Sequence, residues 1–307
     1  MADPTNGVTE DQLRRLSQRL PQRLPAGIID AARSYRPGID TPAPARAAAT
    51  VVLLRPAGGG TGACGVEICL LRRVSTMAFA AGMYVFPGGT VDQADGDAEL
   101  DRFGPAEATL PPGAEPTLAR ALVCAAVRET FEESGVLLAG PDGGTSADVS
   151  DPSWEADRVA LETRATNLAA VLARRGLGVR VDLIRPWARW ITPEVETRRY
   201  DTWFFVAAMP TTQRTRRIPG ESDRLLWTSP AAALEEFSAD RLNLMPPTAY
   251  TLGELVGYDS VEAVLTAAGT RAIQPIMPRI SLHDGGARLV FQHDGDDDSI
   301  ADHDSIG

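Results

Sequence analysis

A strand, a glycine-rich turn and a second strand lie early in the chain, and together they commit it to a sheet. Residues 47–55 (AAATVVLLR) form an apolar run bounded by the turn at 58–62, and residues 66–73 (VEICLLRR) form the next, which predicts a β-hairpin. A third strand is expected at 83–86 (MYVF), running into Pro87-Gly88-Gly89. A lone hairpin is marginal in water, so further strands and a covering layer are required. Strands are expected at 187–191, 200–208 and 224–228, with a last pair within 276–291. Helical periodicity runs from Thr117, the expected N-cap, to Ser134, with Gly135 as the stop. A long amphipathic helix is expected at about 155–175, and 230–269 reads as mostly helical, interrupted at Met245-Pro246-Pro247. This irregular alternation predicts an α/β (α+β) layered domain.

The boundaries follow from breaks in these patterns. Residues 1–46 are an N-terminal extension, with a short amphipathic helix at 11–20 followed by Pro-spaced irregular chain. The domain occupies 47–292 and carries an irregular insertion at about 92–116, where four prolines and several acids interrupt any period. Residues 294–307 hold six Asp and no Arg, and they lower a formal charge of about −5 to −11. Such a run has nothing to bury, so 293–307 is expected to be a disordered tail.

The residue inventory excludes most catalytic chemistries. All 30 basic residues are Arg, which removes Schiff-base, P-loop and kinase lysines. The three His (His283, His293 and His303) lie in the last 25 residues, too far along for a nucleophile–histidine site in the body of the chain. Cys64, Cys69 and Cys124 lack zinc-ligand spacing. What remains is carboxylates, Arg, hydroxyls or a metal held by oxygen. The acidic charge argues against nucleic acid or an anionic membrane as partner. The longest charge-free stretch, 74–91, is broken by Gly82, Pro87, Gly88 and Gly89 and cannot span a bilayer as a helix. MADPTNGVTE lacks the basic start of a signal peptide, and with few cysteines the expectation is a cytoplasmic protein.

The segment Arg128-Glu129-Thr130-Phe131-Glu132-Glu133-Ser134-Gly135-Val136 concentrates the remaining chemistry. At helical spacing Glu129, Glu132 and Glu133 share one face, while Val123, Cys124, Val127 and Phe131 point to the other. Three converging carboxylates repel one another unless a cation compensates, and a hard divalent ion needs only such oxygens, water and phosphate. Taken alone, E-x-x-E-E reads as a solvated acidic face. The upstream Gly88 and Gly89, which permit close backbone approach, set it apart.

With that glycine pair, the segment resembles the Nudix box: Gly, five residues, Glu, seven residues, then R-E-U-x-E-E-x-G-U with U aliphatic. Gly89, Arg128, Glu129, Glu132, Glu133, Gly135 and Val136 match it. Thr130 replaces the first aliphatic residue, and 38 residues separate Gly89 from Arg128 where the pattern has 13, an insertion of 25. Counted back from Arg128, the box glutamate falls on Arg120, so its role is vacant or is filled by Glu115 or Asp92. The interrupted box, with L-L-R-R before F-P-G-G, W-x-x-W-I-T-P, R-R-Y-D-T-W-F-F and L-x-W-x-S-P, is similar to the coenzyme A diphosphatase branch of the Nudix hydrolases over about 47–255.

The resemblance implies a Nudix-like α/β/α sandwich with a mixed central sheet and additional C-terminal helices. It further implies a Mg2+- or Mn2+-dependent hydrolase that cleaves a diphosphate, with the metal on Glu129, Glu132, Glu133 and the Gly89 carbonyl. Arg128 orients the glutamates, and Glu221 is the candidate carboxylate from outside the box. Arg72, Arg73, Arg198 and Arg199 are candidates to hold phosphate, and Trp203 to stack on a base. Met245-Pro246-Pro247-Thr248 is expected at the pocket edge. Coenzyme A or acyl-coenzyme A is the expected substrate; ADP-ribose, NADH or a nucleotide sugar, and a non-catalytic nucleotide-binding module, are the alternatives. A homodimer is expected by analogy.

Overall fold

The structure is a computed structural model, and it describes residues 26–59, 65–74, 81–97, 110–141, 145–220, 222–283 and 286–290. The helix expected at 11–20 and the acidic tail lie outside the described residues. Helix α1 (Ala26–Ser34) occupies a stretch expected to be irregular. The hairpin forms as β1 (Ala45–Pro56) and β2 (Val66–Arg73), antiparallel with Leu54 opposite Ile68. The next run is shorter than expected: β3 (Tyr84–Val85) pairs with β2, and Gly88–Thr90 forms its own strand, β4, against β1.

Downstream come α2 (Pro116–Ser134), β5 (Ala139–Gly140), α3 (Ser153–Glu162), α4 (Leu168–Arg175), β6 (Gly178–Val179), β7 (Ile184–Ile191), β8 (Arg199–Ala208) and β9 (Ser222–Thr228). Helices α5 (Pro230–Ser238), α6 (Pro246–Leu255) and α7 (Val261–Thr270) follow, then β10 (Pro275–Ile276) and the hairpin β11 (Arg279–His283)–β12 (Gly286–Val290). The main sheet runs β10-β7-β8-β1-β2-β3, with β4 beside β1 and β9 beside β2. It is mixed, because β1 runs parallel to β8 and antiparallel to β2 and β4.

Alternation along β1 divides the core. Ala49, Val51 and Leu53 face α2, α3 and α4, whereas Val52 and Leu54 face α5, α6 and α7. The result is the expected α/β/α sandwich. The helix expected at 155–175 is instead two helices. Arg164 takes a left-handed φ of 57°, and Asn167 starts α4 by accepting from the Ala170 N–H at 2.8 Å. Helix α2 begins earlier than expected because Glu115, not Thr117, caps it, accepting from the Leu118 N–H at 3.0 Å, with Pro116 in the first turn.

Candidate active site

Helix α2 is fixed by its buried face. Val123, Cys124, Val127 and Phe131 are fully buried against the sheet, each large apolar side chain contributing about 1.5–3 kcal/mol. Thr130 is buried too, and its hydroxyl donates to the Ala126 carbonyl at 2.7 Å, which satisfies the polar group in an aliphatic position. With that face held, Glu129, Glu132 and Glu133 emerge into one cleft, lined also by Leu71, Arg73, Val85, Glu162, Ile218, Pro219 and Ser222.

Strand β4 presses on the helix from the side. A Cβ on Gly89 would lie 2.6 Å from the Glu129 carboxyl carbon, so only glycine leaves room for that carboxylate. The Gly88 N–H donates to Glu133 Oε2 at 3.0 Å. Arg128, 7% exposed, joins the parts: Nη1 donates to Glu129 at 2.7 Å and reaches Glu132 at 3.4 Å, and Nη2 donates to the Thr90 carbonyl at 2.9 Å. Burial opposes a charge there, but the hydrogen bonds and charges of Asp95, Glu129 and Glu132 hold the guanidinium firmly protonated.

Asp95 was missed from the sequence. It sits in the turn Gln93–Asp97, 3% exposed, and accepts two hydrogen bonds from Arg128. Counted forward from Gly89, five residues intervene and the sixth is Asp95, so the insertion lies after the acid, in the spacer to Arg128. Counted backward from Arg128, the same position falls on Arg120. The two substitutes considered are engaged elsewhere: Glu115 caps α2 and Asp92 pairs with Arg164 at 3.2 Å.

Arg73 alone of the candidate phosphate ligands lines the cleft. Arg72 projects to the opposite face of β2 and is held by Asp223 through hydrogen bonds of 2.7 and 2.6 Å. Arg199 is buried and donates to the Thr192 and Ala43 carbonyls, a clip between chain segments. Arg198 is exposed beside it, away from the cleft lining. Trp203 is 2% exposed in the core, which leaves no face for a base. Met245-Pro246-Pro247-Thr248 opens α6, in the layer across the sheet from α2. Glu221 lies outside the described residues.

The fourth carboxylate of the cleft is Glu162, at the end of α3. Arg158, 4% exposed, donates from Nη1 both to Glu162 at 2.8 Å and to the Glu132 carbonyl at 3.0 Å, which ties α3 to the last turn of α2. Burial first, then the neighbouring Glu129 charge, pushes the Glu132 carboxyl up to about 7 against the pull of Arg128. Among the described residues no three acids or imidazoles stand as a ready ligand cage. The donor set nevertheless fits a hard divalent cation, since the cleft offers carboxylate oxygens and carries crowded negative charge.

Comparison with known proteins agrees with this architecture. The chain belongs to the Nudix hydrolases. Within them, the family model for the NUDT19 Nudix domain matches residues 113–255. The acyl-coenzyme A diphosphatase NUDT19 of Gallus gallus is 30% identical, over 75% of this chain and 72% of that protein. The human protein of that name is 28% identical, over 79% and 74%. The crystal structure of a Nudix hydrolase from Alicyclobacillus acidocaldarius covers 76% of this chain and 99% of its own, at 31% identity and a TM-score of 0.64. The protein is thus a hydrolase of diphosphate linkages, of a family that generally uses divalent metals. Among the described residues no helix is long and apolar enough to cross a membrane.

Proposed function

We propose that this chain is a divalent-cation-dependent diphosphatase for coenzyme A or its acyl esters, releasing 3′,5′-ADP and (acyl-)phosphopantetheine. The observation that carries the reading is the single cleft shared by Glu129, Glu132 and Glu133, braced by the Arg128–Asp95 pair. The coenzyme A substrate is supported by the activity named for the Gallus gallus and human relatives.

Glu129, Glu132, Glu133 and the Gly89 carbonyl are the residues to hold Mg2+ or Mn2+. Such an ion supplies charge neutralisation on the diphosphate oxygens and acidifies water. Arg128 keeps the glutamates oriented through charge-assisted hydrogen bonds. Arg73, across the cleft, offers a guanidinium to the diphosphate. Glu162 brings a carboxylate from outside the motif, held by Arg158.

The test is turnover of acetyl-coenzyme A, coenzyme A, NADH, ADP-ribose, a nucleotide sugar and diadenosine tetraphosphate, with and without Mg2+, beside Glu133→Gln. Hydrolysis of the coenzyme A compounds that needs the ion, and falls on the order of 10²–10³-fold in the variant, supports the reading. Preference for another member of the panel overturns the substrate.

A further inference from the structure

The cleft is lined by two chemical kinds of side chain. Carboxylates and Arg73 account for the diphosphate, but Leu71, Val85, Ile218 and Pro219 offer phosphate oxygens nothing to bond. Leu71, 2% exposed, belongs to the core behind this lining, whereas Ile218 is 6% exposed, Val85 half-buried and Pro219 exposed.

The segment that brings Ile218 and Pro219 there is anchored at two points. Gln213, buried, accepts from the Leu137 N–H at 2.9 Å and donates to the Leu137 and Ala147 carbonyls at 3.0 and 2.9 Å. Three residues on, the Arg216 N–H donates to the Ser134 carbonyl at 2.9 Å, and the Arg216 guanidinium pairs with Glu155. Both Ser134 and Leu137 belong to the end of the segment that carries the glutamates. The apolar wall is therefore set relative to the carboxylates by hydrogen bonds.

We propose that Ile218 and Pro219, with Val85, form a specificity wall for a branched aliphatic group joined to the diphosphate. This rests on the coenzyme A reading above. In coenzyme A the outer phosphate is esterified to an oxymethylene whose next carbon bears two methyl groups, and no polar atom intervenes. In ADP-ribose, NADH and nucleotide sugars the same position holds a hydroxylated ring, whose hydroxyls would lose water against these apolar side chains. The wall thus rewards the first group and rejects the second.

The experiment compares 3′-dephospho-coenzyme A, as substrate, with ADP, as competitive inhibitor; they share every atom up to the outer phosphate. In Ile218→Ala, kcat/KM for dephospho-coenzyme A is expected to fall about tenfold, the scale of a few lost methylenes in an apolar pocket. The inhibition constant of ADP is expected to stay within about twofold of wild type. Pro219→Ser, at an exposed position, should show the same asymmetry more weakly, and it serves if Ile218→Ala does not fold. Equal losses for both compounds, or no loss for either, overturn the specificity wall while leaving the diphosphatase reading intact. Failure of the wild-type protein to hydrolyse any coenzyme A compound overturns the substrate reading, and the wall with it.

Discussion

Asp95 and Arg128 meet through two parallel hydrogen bonds, Nε to Oδ1 and Nη2 to Oδ2, each 2.9 Å long, with side chains 2% and 9% exposed. Removing the acid leaves a buried guanidinium short of its counter-charge. Asp95→Ala is expected to lose about 3–5 kcal/mol in urea unfolding, together with activity, because Arg128 then turns further onto the glutamates. Asp95→Glu, which restores the residue usual in the motif, should keep most of both.

Neighbouring glycines should fail in different ways. A methyl at Gly89 meets the movable end of Glu129, so Gly89→Ala should fold with a loss of about 1 kcal/mol or less and yet have little activity. A methyl at Gly88 meets the Ala49 carbonyl and lies 2.7 Å from the Thr50 Cα, both backbone. Gly88→Ala should therefore cost about 1–3 kcal/mol by prising β4 from β1. Thermal unfolding and turnover measured on the same samples separate the two.

The arginines divide between substrate and scaffold. Arg73→Ala is expected to raise KM about tenfold, the value of one charged hydrogen bond to phosphate. Arg199→Ala is expected to do the reverse: it strands two carbonyls, those of Ala43 and Thr192, costs about 1–3 kcal/mol and leaves KM alone.

Glu254 makes stability depend on pH in the less common direction. It accepts from Trp187 Nε1 at 2.8 Å and Arg271 Nη2 at 2.6 Å, but burial outweighs both and holds its carboxyl above the ordinary 4.5. The folded state therefore keeps its proton where the unfolded chain has released it, and stability falls as pH rises through and above 4.5. Glu254→Gln should show a shallower fall in urea midpoint over that range. It should also be less stable at neutral pH, since Arg271 loses its partner. An equal slope in both proteins would sink the assignment.

Local pattern carried much of this fold into the sequence. Apolar runs marked β1 and β2, and the 3.6 period placed three glutamates on one face of α2. Asp95 is hidden from a count that starts at the helix, because the insertion falls between them, and an acid in a short turn has no period to announce it. Glu162 and Ile218 join the cleft only through chain reversals that sheet order decides. Arg199 looked like a phosphate ligand because composition cannot distinguish a guanidinium bound to carbonyls from one awaiting an anion. Trp203 faces inward for a reason legible only once β8 lies beside β1.

Between Asp95 and Arg128 lie 32 residues where the family pattern has seven, and the two side chains meet all the same. The closure cost of a longer connection between ends that meet anyway grows only by about 0.6 kcal/mol per doubling of its length, less than the pair itself is worth. The motif is thus a meeting of two surfaces rather than a continuous word. Evolution, or an engineer, has in its middle a splice point where a cargo sequence can ride inside a working active site.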